Sequence, residues 1–311
     1  MLQCLLVFLP LFNMFYYTAF GFNITSEIEF PELLVNKTSA VTDVQIRFGP
    51  SPRFLDTGVT DNPDLWITPN QYLIHFKDVS WYYAENGNLI ILDPYQNADV
   101  KSVRLYLLCN AMAAIIHQRK LIPLHASGII SKNGVVLIAG QSGIGKSTTV
   151  KALSQKSHKI FTDDVCVLKF HEKKILAIPS YPMMKLWENS FELLQLGNKN
   201  EEHKLKFDMN KYGVFFHDEF VSKWKPVIKI FNIEEADDTE KVCIKKQKGI
   251  EAFKIIGENT YRNHYVEPMK LNTLHFKIAS GLAEQCEVFK ITRPANRNSI
   301  SEVVEIIEKE L

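Results

Sequence analysis

The 311-residue chain lacks a charge bias: 36 basic and 35 acidic residues leave a net +1. No global field draws it to nucleic acid or an anionic membrane surface, and neither is expected as a partner. Cysteine is scarce and unpatterned. The five residues Cys4, Cys109, Cys166, Cys243 and Cys286 form no C-x-x-C pair. That count suits a reducing, cytoplasmic compartment better than a disulfide framework or a zinc site. The apolar opening MLQCLLVFLPLFNMFYYTAF has no lysine or arginine, so the basic n-region of a secretion signal is missing. It lacks an A-x-A-like cleavage site and is short for a membrane span. The expectation is a start at Met14, with residues 1–13 an upstream extension. The N-x-T sequons at Asn23 and Asn36 then carry no glycan. Internal repeats and long low-complexity linkers are also absent.

What is present is the composition of a globular protein, 46% hydrophobic and 23% charged. Residues 14–98 read as a β-rich region of short β-branched and aromatic runs: AFGFNITSEIEF, VQIRF, YLIHF, VSWYYA and NLIILD. The turn signals GPSP, TDNPD and ENGN separate them. From Asp99 to about Gln118 the apolar period becomes helical, and 99–311 reads as a second domain. There LIPLHASGII and GVVLIAG are expected as strands, and Gly145 to about Gln155 as a helix. KIFTDDVCVLKF, KILAIP and VIKIFNI are further strands, and ISEVVEIIEKEL is a closing amphipathic helix. The mixed-charge runs NKNEEHKLK and EEADDTEK read as solvated loops.

The segment LIAGQSGIGKSTTV contains G-x-x-x-x-G-K-S between a hydrophobic strand and a helix. That context is the one a phosphate-binding loop requires. Gly140, Gly143 and Gly145 let the backbone curl, so that N–H groups from Gly140 through Gln141, Ser142, Ile144 and on to Thr148 cradle phosphate oxygens. Lys146 reaches the β/γ-phosphates of a nucleotide, and the Ser147 hydroxyl can ligate Mg²⁺. Seventeen positions after Lys146 come Asp163 and Asp164, placed beside the loop by one helix, a turn and a returning strand. One carboxylate there can hold Mg²⁺ while the other accepts a proton from an attacking hydroxyl. His125, in the strand before the loop strand, is either a structural residue or a partner of the aspartates or phosphates. No N-K-x-D and no L-S-G-G-Q occur, which counts against small-GTPase and transporter-ATPase readings. Phosphoryl transfer to a small or peptide acceptor survives this sorting best.

The stretch Leu124 to Leu168 resembles the catalytic core of HPr kinase/phosphorylase and its relatives. It has a His-x-x-Gly strand, the phosphate loop and an Asp-Asp pair in the same order. YYTAFGFNITSEIEFPEL, YPMMKLW, NTYR and FKITRP resemble a narrower branch of short serine kinases, some found with lasso-peptide biosynthesis genes. The resemblance implies an α/β fold with a mixed sheet, of the HPr kinase and phosphoenolpyruvate carboxykinase kind, preceded by the β-rich segment. It implies ATP as phosphoryl donor and Mg²⁺ as cofactor. Asp163 would be the base, His125 its orienter, and Asp164 the support of metal or pair. Lys185, Arg262 and Arg293 would neutralise phosphate charge. The family often forms oligomers. No E-x-R-G signature follows the aspartates, and Thr148 stands where the family usually has Glu. The acceptor implied is therefore a serine-bearing precursor peptide. HPr, free serine and a non-catalytic nucleotide-sensing role are the alternatives.

Overall fold

The computed structural model describes residues 13–37, 41–58, 60–172, 174–237 and 240–311. The expected N-terminal extension falls, but for its last residue, outside the described residues. Among those described, the strands form an eight-stranded, a nine-stranded and a three-stranded sheet, giving a mixed α/β protein. No helix of the described residues is long and apolar enough to cross a membrane.

The first sheet takes all the early strands: β1 (Phe15–Ala19), β2 (Phe22–Ser26), β3 (Leu34–Val35), β4 (Val44–Phe48), β5 (Leu65–Ile67), β6 (Gln71–Phe76), β7 (Ser80–Glu85) and β8 (Leu89–Pro94). Their order is β3-β1-β2-β4-β8-β7-β6-β5. Only β2–β4 and β4–β8 pair in parallel. In β2 the alternation is read directly from the sequence, with Phe22, Ile24 and Ser26 turned inward. The AFGFNITS run is a hairpin rather than one strand, because Phe20 and Gly21 take φ of 55° and 79°. Asn86 and Gly87, in ENGN, make the same two-residue turn at 54° and 69°. Such primed turns match the natural strand twist.

The helical run is one rod in three pieces: α1 (Val100–Tyr106), a π-helical turn (Leu107–Ala111) and α2 (Met112–Gln118). The Asp99 carboxylate caps it by accepting from the backbone N–H groups of Lys101 and Ser102. The rod lies under the first sheet and shares its core. The Tyr82 hydroxyl donates to the Val103 carbonyl at 2.9 Å.

The remaining strands are β9 (Ile122–Leu124), β10 (Ala126–Ser131), β11 (Gly134–Gly140), β12 (Ile160–Thr162), β13 (Cys166–His171), β14 (Lys174–Pro179), β15 (Met183–Trp187), β16 (Lys204–Lys206), β17 (Met209–Phe215), β18 (Lys225–Ala236), β19 (Cys243–Gln247) and β20 (Glu287–Pro294). The helices are α3 (Lys146–Gln155), α4 (Glu188–Leu193), α5 (Ile250–Glu258), α6 (Asn272–Gln285) and α7 (Ile300–Lys309). In the large sheet β18 runs parallel to both β11 and β20. Every residue of β11 is buried, which explains its uninterrupted apolar run. Helices α5 and α6 cover one face and α3 and α7 the other.

Two expected strands break. LIPLHASGII splits at His125: β9 pairs with β13, whereas β10 pairs with β11 and β12. KIFTDDVCVLKF splits at Asp163 and Asp164 in the same way, β12 staying with β10 and β13 joining β9. Both chains thus cross from one part of the sheet to the other side by side. A crossing frees the residues at the break from ladder pairing and lets their side chains leave the sheet plane.

The first sheet is tied to the segment after α5 by a buried hydroxyl pair, Tyr72 and Tyr265, 2.7 Å apart. Tyr72→Phe is expected to lower stability by about 1–3 kcal/mol, because Tyr265 loses its buried partner. The double phenylalanine variant should recover part of the loss. Urea unfolding measures both, and an unchanged midpoint in Tyr72→Phe would refute the assignment.

Candidate active site

The glycine-rich loop joins the end of β11 to the start of α3. Gly140, Gly143 and Gly145 have φ of 133°, 88° and 102°, values only glycine adopts readily. At Gly140 a Cβ would lie 2.4 Å from the Ile233 carbonyl oxygen, so β18 itself excludes any other residue. The Lys146 ammonium lies across the loop and donates to the carbonyls of Gly140 and Gln141, at 2.8 and 2.9 Å. Burial pulls its pKa down to about 8, against the opposing pull of Asp164 and Asp163. The Ile144 side chain packs in the core under α7, so its contribution to the loop is backbone only. Ser142, Gly143, Gly145, Lys146, Ser147 and Thr148 line a cleft of about 400 Å³. The Thr148 hydroxyl also meets that of Ser190, 3.0 Å away on α4.

His125, Asp164, Lys185 and Arg293 line this cleft too. Arg293 pairs with Glu235 at 2.6 Å and donates to the Ile144 carbonyl at 3.1 Å. Its Nε is buried without a partner among the described residues. Arg262 is not in this cleft. It faces a second, larger chamber of about 1120 Å³, which is also walled by residues of the first sheet such as Leu65, Ile74 and Phe76. Gly140 and Gln141 face this second chamber. The two cavities meet at His125, Ser142, Asp164, Lys185 and Lys211, which line both.

The two aspartates do not share the expected work. Asp164 has a left-handed φ of 65°, which aspartate tolerates, and this turns the two carboxylates apart. Asp163 is 2% exposed. It accepts from the Ser127 hydroxyl at 2.6 Å and from the Lys185 backbone N–H at 2.8 Å. With both oxygens so engaged and no face on either cavity, Asp163 does not fit the role of base; it fixes the backbone. Asp164 lies at the junction. Its Oδ2 is 2.7 Å from the Lys185 ammonium and its Oδ1 3.4 Å from His125 Nδ1. Burial works against its charge, but Lys185, His125 and Lys211 overcome that and hold the carboxyl well below the usual range. Burial likewise disfavours charge on Lys185, yet Asp164 leaves its pKa raised.

His125 Nδ1 donates to the Asp164 carbonyl at 2.9 Å. Burial, only partly offset by Asp164, lowers its pKa and favours the neutral ring. Its own backbone N–H donates to the carbonyl of Asn259 at 2.7 Å. The Asn259 side chain accepts from the Gly140 N–H at 2.8 Å and donates to Asn232 Oδ1 at 2.9 Å. Asn259 therefore clamps loop, histidine strand and β18 together. Neither it nor Lys211 nor Cys109 is among the site candidates that the sequence offers. The only signal was its place in NTYR. Asn232 stood out only as a polar residue inside VIKIFNI.

As to metal, no group of three or more His, Cys, Asp or Glu side chains among the described residues could hold an ion. A Mg²⁺ that keeps waters and takes phosphate oxygens needs only one or two protein ligands. Ser147, on the cleft, fits that demand; Asp164 lies on the same cleft but is already paired with Lys185.

No protein-family model matches the chain, and no curated protein matches it. Among solved structures, the HPr(Ser) kinase/phosphatase from Coxiella burnetii is similar at 15% identity and a TM-score of 0.32, covering 60% of this chain and 91% of that one. A likeness this distant does not carry function.

Asp163→Ala is expected to destabilise the fold by about 2–5 kcal/mol, because two buried donors lose their acceptor at once. Asp163→Asn, which keeps an acceptor oxygen, should lose less. Thermal and urea unfolding check the order, and equal stability of Asp163→Ala and wild type would refute it.

Proposed function

We propose that the chain is an ATP- and Mg²⁺-dependent kinase that phosphorylates a serine hydroxyl. The observation that carries this reading is the position of Asp164, on the boundary between the cleft lined by the glycine-rich loop and a larger chamber. A donor in the first and an acceptor in the second meet at that carboxylate. Hydrolysis or sensing needs no second chamber.

The nucleotide phosphates lie on the loop N–H groups at the start of α3, where the helix dipole favours anions. Lys146 neutralises charge on the leaving group. Lys211 and Arg293 face the same phosphates across the cleft. Ser147 would hold Mg²⁺, with phosphate oxygens and waters completing its shell, and the ion would supply further charge neutralisation there; Asp164, paired with Lys185, is left to the hydroxyl. The acceptor hydroxyl approaches from the larger chamber, hydrogen-bonded to Asp164. As its oxygen bonds to the γ-phosphorus, the bond to the β–γ bridging oxygen breaks and ADP leaves. The hydroxyl proton passes to Asp164. A carboxylate with so low a pKa is a weak base, which suits a loose transition state in which the proton moves late. Its main work is orienting the hydroxyl. His125 holds the Asp164 backbone and remains neutral.

The larger chamber has room for several residues and is walled partly by the first sheet, which favours a peptide over free serine. A ribosomally made precursor peptide of the lasso type is the acceptor that the sequence resemblance implies.

Asp164→Asn should lower transfer by at least about a hundredfold per folded molecule, with the folded fraction fixed by thermal unfolding because the change also leaves Lys185 unpaired. The measurement is the gain of one phosphate by a serine peptide, read by mass spectrometry. Full activity in that variant would sink the assignment. A pH effect follows from Lys146. Bound polyphosphate stabilises the ammonium, so the complex holds its proton above pH 8 while the free protein loses it. ATP affinity should therefore be flat below about pH 7 and fall as pH rises through 8, by up to about tenfold per unit. Lys146→Met should bind weakly with no such fall. Calorimetric titration between pH 6.5 and 9.5 checks it.

A further inference from the structure

Among the described residues three arginines are half-buried, and one of them lacks a carboxylate partner. The half-buried Arg104 and Arg293 are each paired with a glutamate, at 2.9 and 2.6 Å. Arg262, also half-buried, has no carboxylate within ion-pair distance among the described residues. Its Nε makes a long 3.4 Å contact with the Cys109 carbonyl, and its guanidinium carbon lies 5.3 Å from the Tyr261 ring centroid. Its Nη atoms have no acceptor among the described residues, and the side chain faces the larger chamber. Burial works against its charge, and the groups that bear on it most are the phenols of Tyr261, Tyr265 and Tyr72 and the thiol of Cys109, not carboxylates. The chamber's own carboxylates are elsewhere engaged or distant. Glu234 is held by Lys290 and Asn232, and Glu258 makes no ion pair with Arg262.

A half-buried guanidinium with an unused fork is a receptor for a planar anion. Its distance from the reacting centre is short in contacts. The Cys109 carbonyl accepts from Arg262 and from the Tyr261 hydroxyl, the latter at 3.0 Å. The Cys109 sulfur lies 3.1 Å from the Lys185 ammonium, which pairs with Asp164. The π-helical turn at Leu107–Ala111 is what presents that carbonyl, since its widened backbone departs from the usual i→i−4 pattern. Arg262 itself is held at a left-handed φ of 54°, a conformation that fixes where the side chain starts.

We propose that Arg262 is a positioning residue that binds a carboxylate of the acceptor, close in the chain to the hydroxyl that Asp164 orients. The proposal rests on the phosphotransfer reading for the identity of the hydroxyl, but not for the binding of the anion. Two sources share this chemistry: the α-carboxylate of a terminal serine, and an acidic side chain next to an internal one.

The test uses N-acetylserine, N-acetyl-Ser-Asp-amide and N-acetylserinamide as probes of the full chain with a non-hydrolysable ATP analogue. Binding is read by calorimetry. At least one carboxylate probe should bind about tenfold or more tighter than the neutral amide, and the tighter of the two identifies the source. Arg262→Gln should remove the preference, and Arg262→Lys should restore part of it. Neither variant should shift the unfolding midpoint or nucleotide affinity, because both keep the same backbone and leave the smaller cleft intact. Equal binding of all probes, binding of none, or a preference that survives Arg262→Gln overturns the proposal. Phosphate transfer from ATP is followed in parallel with the same probes. A carboxylate preference without transfer would keep Arg262 in its role and sink the kinase reading instead.

Discussion

The site depends on how one lysine is held. Lys185 is gripped twice: Asp163 accepts from its backbone N–H, and Asp164 pairs with its ammonium. Neither grip works without the left-handed turn at Asp164, which sends adjacent carboxylates in opposite directions. A buried charge left alone would be strongly destabilising, so each partner of the Asp164–Lys185 pair requires the other. Through Lys185 the small sheet of β15, β16 and β17 is fixed to the break in the large one. The smaller cleft has that sheet as a wall, with Trp187 on β15 and Lys211 on β17.

The break itself is the second constraint. Because β9→β10 and β12→β13 change partners at the same level, His125 and Asp164 are brought out of the ladder next to each other. The His125 Nδ1 contact to the Asp164 carbonyl closes the gap between the two crossings. Asn259 closes it from the other side, through His125 N–H and Gly140 N–H. Loop, histidine and aspartate are therefore positioned by hydrogen bonds across the crossing rather than by one continuous strand.

Much of this was legible in the sequence where the determinants are local. The glycine spacing, the apolar β11 and the following helix fix the loop within one continuous stretch, Gly134 to Gln155. The ENGN turn and the Asp99 cap are equally local signals. What was not legible depends on single dihedrals or on distant partners. Nothing in FTDDV says that its second aspartate takes positive φ, so base and structural residue could not be told apart. LIPLHASGII has unbroken β-propensity; only its pairing with β13 on one side and β11 on the other splits it at His125. The clamp by Asn259 joins residues more than a hundred positions apart, and an isolated asparagine near a helix end gives no hint of it. The π-helical turn is likewise hidden, because LLCNA continues a good helical pattern.

A carboxylate beside a phosphate raises an electrostatic difficulty that the arrangement resolves. An unpaired Asp164 would repel an incoming polyphosphate at close range. With Lys185 at 2.7 Å the pair is neutral overall, and Lys185 keeps its charge because Asp164 offsets the burial that disfavours it. The field at the phosphate position then comes from the loop N–H groups, Lys146, Lys211 and Arg293, less the Glu235 paired to the last. That field is positive, so the donor can bind while the carboxylate oxygen stays available on the other side for a hydroxyl. Exchanging the two aspartates' orientations would bury the paired charge in the sheet and leave Lys185 unpaired at the cleft. The neighbouring carboxylates are thus not interchangeable: the first must be buried for the second to face the donor without repelling it.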